Sequence, residues 1–406
     1  MNTTNKQITK KTAIVHDFFY QNGGAECVVE KLLELYPEAD IYTSIFVPSK
    51  FQNNLNLGLA HTQNRIFTSP VQGLFEFHNG FLLRFFKHFF WLYPLAMRMM
   101  KVSDYDLVII SSTDCAKQIR VHNIQKLIHY CHTPTRYLHG LMTSQDQQNL
   151  SKIQRLLMPL FVFWLRWLDL DAVRYLNQNN CIWVANSSFI QQSIKTVYQT
   201  NSVVIYPPVE IDKFLKIERN YQKTDEVEDS FYLCHGRISF HKRIDLAILA
   251  CLKLNKKLKI SGTAGLPKQL SQLQKIVDDQ VAIDPNKAGL ITFLGRTTNE
   301  QVVELVGNCR VFLFTGKEDF GIAPIEILAG GVPIIAYQKG GALEYIKEGI
   351  NGVFFVEQTM ESLCEAIFRF EKISVTTGWN TEQIKNSSKT FGDQIFLNKI
   401  QEIVNK

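Results

Sequence analysis

Short apolar runs, each followed by a loop and then by a helix-like segment, recur along this chain and constrain its fold more than any other feature. In the first half, the strand-like runs are "TAIVHDF" (12–18), "LVIISS" (107–112), "KLIHYCH" (126–132) and "CIWVANS" (181–187). Helical stretches lie between them, and this alternation is typical of βαβ units on a parallel sheet. The first half is therefore predicted to be an α/β domain.

The second half repeats this pattern. Its strand-like runs are "FYLCHGRI" (231–238), "KLKISG" (257–262), "ITFLGR" (291–296), "RVFLFT" (310–315) and "VPIIAY" (332–337). Between the halves, Pro207 and Pro208 exclude helix and end a strand, which predicts an interdomain connection. We expect two Rossmann-like domains facing across a cleft, at residues 1–206 and 207–385.

Composition excludes several classes of protein. Of the 406 residues, 46% are hydrophobic and 20% charged, which describes a globular chain, and a net charge of +6 is too small to indicate a nucleic-acid partner. The eight cysteines are scattered without a CxxC pair and the start of the chain is polar, so they are interpreted as reduced thiols of a cytoplasmic protein. No apolar run reaches the roughly 18 to 20 residues needed to span a bilayer.

The segment 61–101 departs from the alternating pattern because it is basic and aromatic. It holds five Lys or Arg residues against one acid, Glu76. On a helix, the basic side includes Arg84, Lys87, Trp91, Arg98 and Lys101, and the aromatic side includes Phe81, Phe85, Phe89 and Leu92. Such a helix either lies in an anionic membrane surface or packs its apolar side inward. We expect this helix to lie in a membrane surface. A second apolar stretch, "LLMPLFVFWLRWLDL" (156–170), is too short to span a bilayer.

The stretch "KEDFGIAPIE" (317–326) places two glutamates eight positions apart around a glycine and a proline. It follows a buried strand and opens a helix, and open α/β sheets bind ligands at such places, outside the carboxyl ends of strands. Glu326 is predicted in the first helical turn, where the helix dipole favours a carboxylate without any function. That explanation leaves Glu318 and the turn at Gly321 unexplained. A carboxylate there suits hydroxyl donors such as those of a ribose.

Two cations follow the first strand of the second half, in "HGRISFHKRID". Arg237 and Lys242 lie in one loop and suit a diphosphate that gains charge as it leaves, whereas Arg243 is expected to be structural. After the first strand of the chain, Gly23 and Gly24 allow either a close approach of a ligand to the backbone or a turn with positive φ.

The stretch "HYCHTPTRY" holds two histidines three positions apart. His129 and His132 point to opposite faces of a strand, so they are not expected to share a metal. His132, at the end of the strand, is a candidate cleft residue.

Together these elements resemble the retaining glycosyltransferases of the GT-B fold in the family GT4, and within it the mannosyltransferase-like enzymes of bacterial O-antigen and exopolysaccharide assembly. The resemblance runs almost end to end, through "VHDFFYQNGGAECVVEKLLELYPEADIYTSIF", "CHTPTRY", "VANSSFI", "YPPVEIDKF", "HGRISFHKRIDLAILA", "ITFLGR" and "KEDFGIAPIEILAGGVPIIAYQKGGALEYIKEGINGVFF". It also implies that a final helix, in 386–406, returns to the first domain. The segment "ILAGG" departs from the more usual "EAMACG".

The family pattern implies roles for the matching residues. His132 matches the histidine that approaches the donor sugar, and Gly23 and Gly24 match the loop that faces the donor diphosphate and the acceptor. Arg237 and Lys242 match the pair that holds the diphosphate.

The remaining matches lie in the last third of the chain. Glu318 matches the residue that contacts the donor sugar, Glu326 the residue that binds ribose hydroxyls, and Arg296 falls where the family contacts the base. Four residues would supply backbone N–H groups to phosphate or sugar, namely Phe320, Gly321, Ile322 and Ala323. The predicted catalytic set is His132, Arg237, Lys242 and Glu318.

The resemblance implies transfer of a sugar, mannose first, from a nucleotide-sugar donor to a lipid-linked saccharide acceptor with retained configuration. GDP-mannose is the first expected donor and UDP-sugars the next, and no metal or other cofactor is expected. The protein would be peripheral on the inner face of the cytoplasmic membrane. Two alternatives are a nucleotide-sugar epimerase of the same fold, which needs no acceptor, and a non-catalytic membrane-associated assembly protein.

Overall fold

The computed structural model describes residues 10–20, 23–51, 55–63, 65–77, 89–142, 152–219 and 230–406. They group into two compact units. The first draws on residues up to 142, on 150–208 and on 396–406, and the second spans 209–395. The segment 386–395, predicted to belong with the final helix, therefore lies in the second unit.

The strands of the first unit are β1 (Thr12–Phe19), β2 (Asp40–Phe46), β3 (Ile66–Thr68), β4 (Lys101–Ser112), β5 (Arg120–Cys131), β6 (Ile182–Ala185) and β7 (Val203–Val204). They form one parallel sheet in the order β3-β2-β1-β4-β5-β6-β7. Its described helices are Gly24–Leu35, Leu55–Thr62, Val71–Phe77, Tyr93–Met99, Lys152–Gln178 and Ser188–Tyr198, and Asp393–Asn405 contributes its residues from 396 onward.

Both faces of this sheet are covered, which explains why its strands read as continuous apolar runs. In β4, Leu107 and Ile109 enter one core cluster and Val108 and Ile110 the other, because successive side chains of a strand point to opposite faces. The first cluster also takes in Phe396 and further residues of the C-terminal helix.

The strands of the second unit are β8 (Phe231–His235), β9 (Leu258–Ser261), β10 (Ile291–Gly295), β11 (Cys309–Phe314), β12 (Ile334–Tyr337) and β13 (Gly352–Phe355). They pair in parallel in the order β10-β9-β8-β11-β12-β13. Its helices are Asp212–Leu215, Ile244–Lys253, Pro267–Ile283, Asn299–Asn308, Ile322–Ala329, Ala342–Tyr345, Met360–Thr376 and Thr381–Ser388. Each unit is thus a Rossmann-like α/β domain, and the fold class expected from the sequence is confirmed.

A buried charge cluster lies in the first unit beneath the segment that follows β5. Lys117 and Asp169 form an ion pair of 2.9 Å, and each side chain is at most 3% exposed. Oδ1 of Asp169 also accepts a hydrogen bond from Thr135 (3.1 Å), and Oδ2 accepts one from Tyr198 (2.9 Å) and lies 2.7 Å from Nε2 of His139. These bonds connect the segment 133–139 to the helices Lys152–Gln178 and Ser188–Tyr198. They also stabilise the carboxylate of Asp169, which burial has removed from water.

The segment 61–101 differs from the expected continuous helix. Residues 78–88, which include Phe81, Arg84, Phe85 and Lys87, lie outside the described residues. Among the described ones, helix Tyr93–Met99 ends before Lys101, which begins β4, so Arg98 and Lys101 do not share a helical face.

From residue 89 onward, the aromatic residues of this segment pack inward. Phe89 and Leu92 pack on the core of the first unit, and Trp91 stacks on Phe161 with ring centroids 5.4 Å apart. Arg98 pairs with Asp171 at 2.5 Å. For Phe89, Trp91 and Leu92, the inward-packing alternative is therefore the correct one.

Candidate functional site

The loops after β8 and β11 lie at the topological switch point of the second unit. From β8 the chain continues to β9 and β10 on one side, and then to β11, β12 and β13 on the other. The loops after β8 and β11 therefore diverge and leave a crevice at the carboxyl ends of the strands, where open α/β sheets bind ligands. Arg237 and Lys242 follow β8, and Glu318 follows β11.

Lys242 and Glu318 form an ion pair at this crevice. Lys242 Nζ lies 2.8 Å from Glu318 Oε1, and the two side chains are 18% and 19% exposed. Burial by itself raises the pKa of Glu318, but the charges of Lys242, His241 and Arg237 outweigh it, and the pKa falls below its ordinary value. The carboxylate thus stays ionised at neutral pH. Arg237 and Lys242 both act on this carboxylate, and two cations in one loop suit an anionic ligand.

The position of Lys242 is set by a glycine and a hydroxyl at the end of β11. Thr315 Oγ1 donates a hydrogen bond to the carbonyl of Lys242 (2.7 Å) and lies 2.9 Å from that of Arg243. A Cβ atom at Gly316 would lie 2.6 Å from the Cα of Lys242, so only glycine permits this approach. The guanidinium of Arg243 turns away to Asp245 (3.0 Å), as expected for a structural residue.

The loop that carries Glu318 is braced by the glycine pair Gly340–Gly341. The N–H of Gly341 donates to the carbonyl of Glu318 at 2.8 Å. A Cβ at Gly340 would lie 2.4 Å from that same carbonyl oxygen, and the φ of Gly340 is +73°. The downstream "GG" therefore holds the first glutamate of the motif in place.

Gly321 brings the chain from this loop into helix Ile322–Ala329. Its φ of +91° is in the region that favours glycine, and a Cβ there would lie 3.0 Å from the hydroxyl of Tyr345. That hydroxyl donates to the carbonyl of Phe320 (2.9 Å), whose side chain is buried. The first N–H groups of the helix, from Ile322 and Ala323, have no partner within the helix, as is general for helix starts.

Glu326 lies in the second turn of this helix, not in the first as predicted. Burial raises the pKa of its carboxyl to about 7, Lys213 opposes the rise and Glu210 adds to it. The helix dipole therefore does not explain this residue. A carboxyl held in a poorly solvated place at the cost of its own ionisation is typical of functional sites.

Arg296 lies in the loop that follows β10. This strand is at the edge of the sheet, and Arg296 is exposed. There it lines a groove that Lys257 and Lys259 also line. The contact of Arg296 with a base stays a prediction.

A row of polar side chains across the ends of β8, β9 and β10 was missed by the sequence reasoning. His235 Nδ1 lies 3.0 Å from Ser261 Oγ, which lies 2.7 Å from Thr297 Oγ1. Burial, and then the charge of Lys242, lower the pKa of His235 to about 4, so its ring is neutral. The signal was available, because His235 and Ser261 each end a strand and precede a glycine.

In the first unit, Gly23 and Gly24 begin the helix that follows β1. Gly23 is the N-cap with a φ of −152°, so the alternative of a turn with positive φ is wrong for this residue. A Cβ at Gly23 would lie 3.1 Å from an oxygen of Glu26. The helix start thus lies at the carboxyl end of β1, beside the switch point between β1 and β4.

His132 directly follows β5 and is buried. Its Nε2 lies 2.8 Å from Ser111 Oγ, and Ser111 in turn contacts His16 Nδ1 at 3.0 Å through its carbonyl. Burial, and then repulsion by His16, lower the pKa of His132 to about 3. The imidazole is therefore neutral at physiological pH and is suited to hydrogen bonding rather than to a cationic role.

Two absences hold for the described part of the chain. Within it, no three His, Cys, Asp or Glu side chains are grouped as a metal site would require. Within the same residues, no helix combines the length and apolar character needed to cross a bilayer.

Comparisons with known proteins bear on the family and the fold. The family model "Glycosyl transferases group 1" matches residues 216–386. The chain is 27% identical over 289 residues, 62% of its length, to the alpha-1,3/1,6-mannosyltransferase ALG2 of Saccharomyces cerevisiae, and this match spans only 54% of the yeast protein. Against ALG2 of Dictyostelium discoideum it is 25% identical, with 74% of this chain and 76% of that protein covered.

A solved structure shows the same fold. The crystal structure of Anabaena HepE in complex with UDP superposes with a TM-score of 0.65 at 16% identity, and the match covers 97% of this chain and 99% of that one. The parallel sheets, the switch-point loops and the family match converge on one conclusion. The chain has the GT-B fold, and its residues 216–386 match the family model of the glycosyl transferases of group 1.

Proposed function

We propose that the protein transfers a hexosyl group, mannose in the first instance, from a nucleotide-diphosphate sugar to a lipid-linked saccharide with retained configuration. The observation that carries this proposal is the cluster of Arg237, Lys242 and Glu318 at the switch point of the second unit, beside a helix start. The mannosyltransferase name of the relatives supports the choice of sugar. The cytosolic face of a membrane is the proposed place of the reaction.

The leaving group is the main chemical demand of such a transfer. When the bond between the anomeric carbon and the diphosphate oxygen breaks, negative charge grows on the diphosphate and positive charge on the sugar ring. Arg237 and Lys242 stabilise the negative charge on the diphosphate. The N–H groups at the start of helix Ile322–Ala329 stabilise it further. The acceptor hydroxyl attacks from the face on which the diphosphate leaves and passes its proton to the departing diphosphate oxygen, so no enzyme nucleophile is required.

The carboxylates bind hydroxyl groups in this proposal. Glu318 is ionised and accepts hydrogen bonds from the donor sugar, whereas Glu326 accepts them from ribose. Neither is a general acid. Contact of His132 with the donor sugar remains a prediction, and its neutral ring would serve as a hydrogen-bonding group there.

The test is a transfer assay with radiolabelled GDP-mannose and a polyprenyl-diphosphate-linked saccharide. We expect label in the organic phase with the full chain, and a loss of at least 100-fold with Lys242→Ala. Lys268→Ala, which removes an exposed lysine of the same unit, is the matched control and should keep full activity. No transfer with any nucleotide sugar would refute the proposal, and an altered sugar formed without acceptor would assign an epimerase instead.

A further inference from the structure

Helix Lys152–Gln178 buries one side against the core of the first unit. Leu165, Leu168, Ala172 and Leu176 are each at most 4% exposed. At about 100° per residue, these four lie within about 80° of one another around the helix. These four residues are the buried apolar side of an amphipathic helix, whose opposite side is expected to be polar.

The opposite side is apolar as well. Phe163 is 84% exposed, Leu156 74%, Trp167 52% and Trp164 37%. Leu156, Phe163 and Trp167 lie within about 40° of one another, and their centre lies about 160° from that of the buried stripe. These four residues, the exposed aromatic face, make a patch of large side chains that soluble surfaces rarely leave open.

The charges around the exposed aromatic face are positive. Arg155 and Arg166 flank it, Arg174 continues it one helical repeat beyond Trp167, and all three are exposed. The first acid in the helix is Asp169, which is buried. The next acid, Asp171, is engaged by Arg98 at 2.5 Å and Arg120 at 3.3 Å. Both acids of this helix are thus engaged elsewhere, Asp169 in the buried cluster and Asp171 with Arg98 and Arg120.

We propose that the exposed aromatic face lies in the headgroup region of an anionic lipid bilayer, parallel to the membrane plane. Tryptophan and phenylalanine on one side with arginine at the margins is the composition of helices that lie in this interface. A second copy of the chain is the less suitable occupant, because it would bring Arg166 and Arg174 against like charges. The sequence predicted the lipid contact in the segment 61–101. Since Phe89, Leu92 and Trp91 pack inward, we assign the lipid contact to the exposed aromatic face and not to residues 89–101.

The proposal does not depend on the transfer reaction, so its test contains neither sugar nucleotide nor acceptor. The full chain is sedimented with vesicles of phosphatidylcholine alone or with 30% phosphatidylglycerol, about a third of the lipid, so that charge and apolar contact are separated. We expect binding to the anionic vesicles. Phe163→Ser with Trp167→Ser should reduce the partition coefficient at least tenfold, and Arg174→Gln about threefold on anionic vesicles only.

The matched control is Phe368→Ser, since Phe368 is 62% exposed and lies in the second unit. It should bind vesicles as the wild type does. Failure of the wild type to bind, or equal binding by the Phe163 and Trp167 double variant, overturns the proposal. If the wild type does not bind vesicles and the double variant changes its oligomeric state, the face contacts a second copy of the chain. That result would also overturn the proposal.

Discussion

The replacement Glu326→Gln should stabilise the protein at alkaline pH and have no effect at acid pH. Burial raises the pKa of Glu326 to about 7 from an ordinary value of 4.5. Below pH 4.5 the carboxyl is protonated in both folded and unfolded states, so it does not alter stability. Between pH 4.5 and 7 the unfolded state ionises first, so the free energy of unfolding falls as pH rises. At about 1.4 kcal/mol per pH unit, the total is about 3 kcal/mol above pH 7.

Urea denaturation of wild type and Glu326→Gln at half-unit steps from pH 4.5 to 8.5 measures this difference. We expect curves that coincide at the acid end and separate by up to about 3 kcal/mol at the alkaline end. Glu365→Gln, which replaces an exposed carboxylate of the same unit, should follow the wild type throughout. A separation between wild type and Glu326→Gln that is constant across the range would refute the raised pKa. GDP affinity should also rise with pH through about 7 in the wild type, and stay flat in Glu326→Gln.

Three further predictions follow from other parts of the structure. Asp169→Asn leaves Lys117 buried without its anion and should lower the free energy of unfolding by about 3 kcal/mol. Its control is Asp279→Asn, in an exposed ion pair, which should change the free energy of unfolding by less than about 0.5 kcal/mol. Urea denaturation measures both. Gly316→Ala should cost about 1–3 kcal/mol and weaken GDP binding, because its Cβ meets backbone at 2.6 Å; unchanged melting would contradict this. Treatment with EDTA should leave the transfer rate unchanged, and a loss restored by Mg²⁺ would show that a metal takes part.

Much of the fold could be predicted from the sequence because the strands are buried on both faces. Continuous apolar runs followed by glycine or polar loops predicted nine of the thirteen strands that the described residues form, and Pro207 and Pro208 indicated the end of a further one, β7 (Val203–Val204). The missing strands include β3 (Ile66–Thr68), which is too short to show a pattern. The loops that hold Arg237, Lys242 and Glu318 were also predicted, because a strand end followed by charged residues is a local signal.

The parts that could not be predicted depend on contacts between distant residues. The pairing of Lys242 with Glu318 follows from β8 and β11 being neighbours, which no local pattern reveals. Asp169 holds Lys117 from a different element, so a buried lysine was not expected. Glu326 was predicted in the first helical turn because the start of the helix was misplaced. The helix begins at Ile322, so Glu326 lies beyond its first turn.

The inward packing of residues 89–101 had the same kind of cause. Hydrophobic periodicity shows that a segment has an apolar side but not what covers it. Phe161 supplies the cover for Trp91, and Asp171 supplies the counter-charge for Arg98. Both lie on the helix Lys152–Gln178, far along the chain, so only the structure distinguished the two alternatives left open by the sequence.

The most direct test of the central claim is a calorimetric titration of the full chain with GDP and then with UDP, repeated with Lys242→Ala and with the control Lys268→Ala. If the switch point of the second unit holds a nucleotide diphosphate, one nucleotide binds and Lys242→Ala weakens it at least tenfold, about 1.4 kcal/mol, while Lys268→Ala leaves it unchanged. Binding of neither nucleotide by the folded protein, or equal binding by wild type and Lys242→Ala, would contradict the claim.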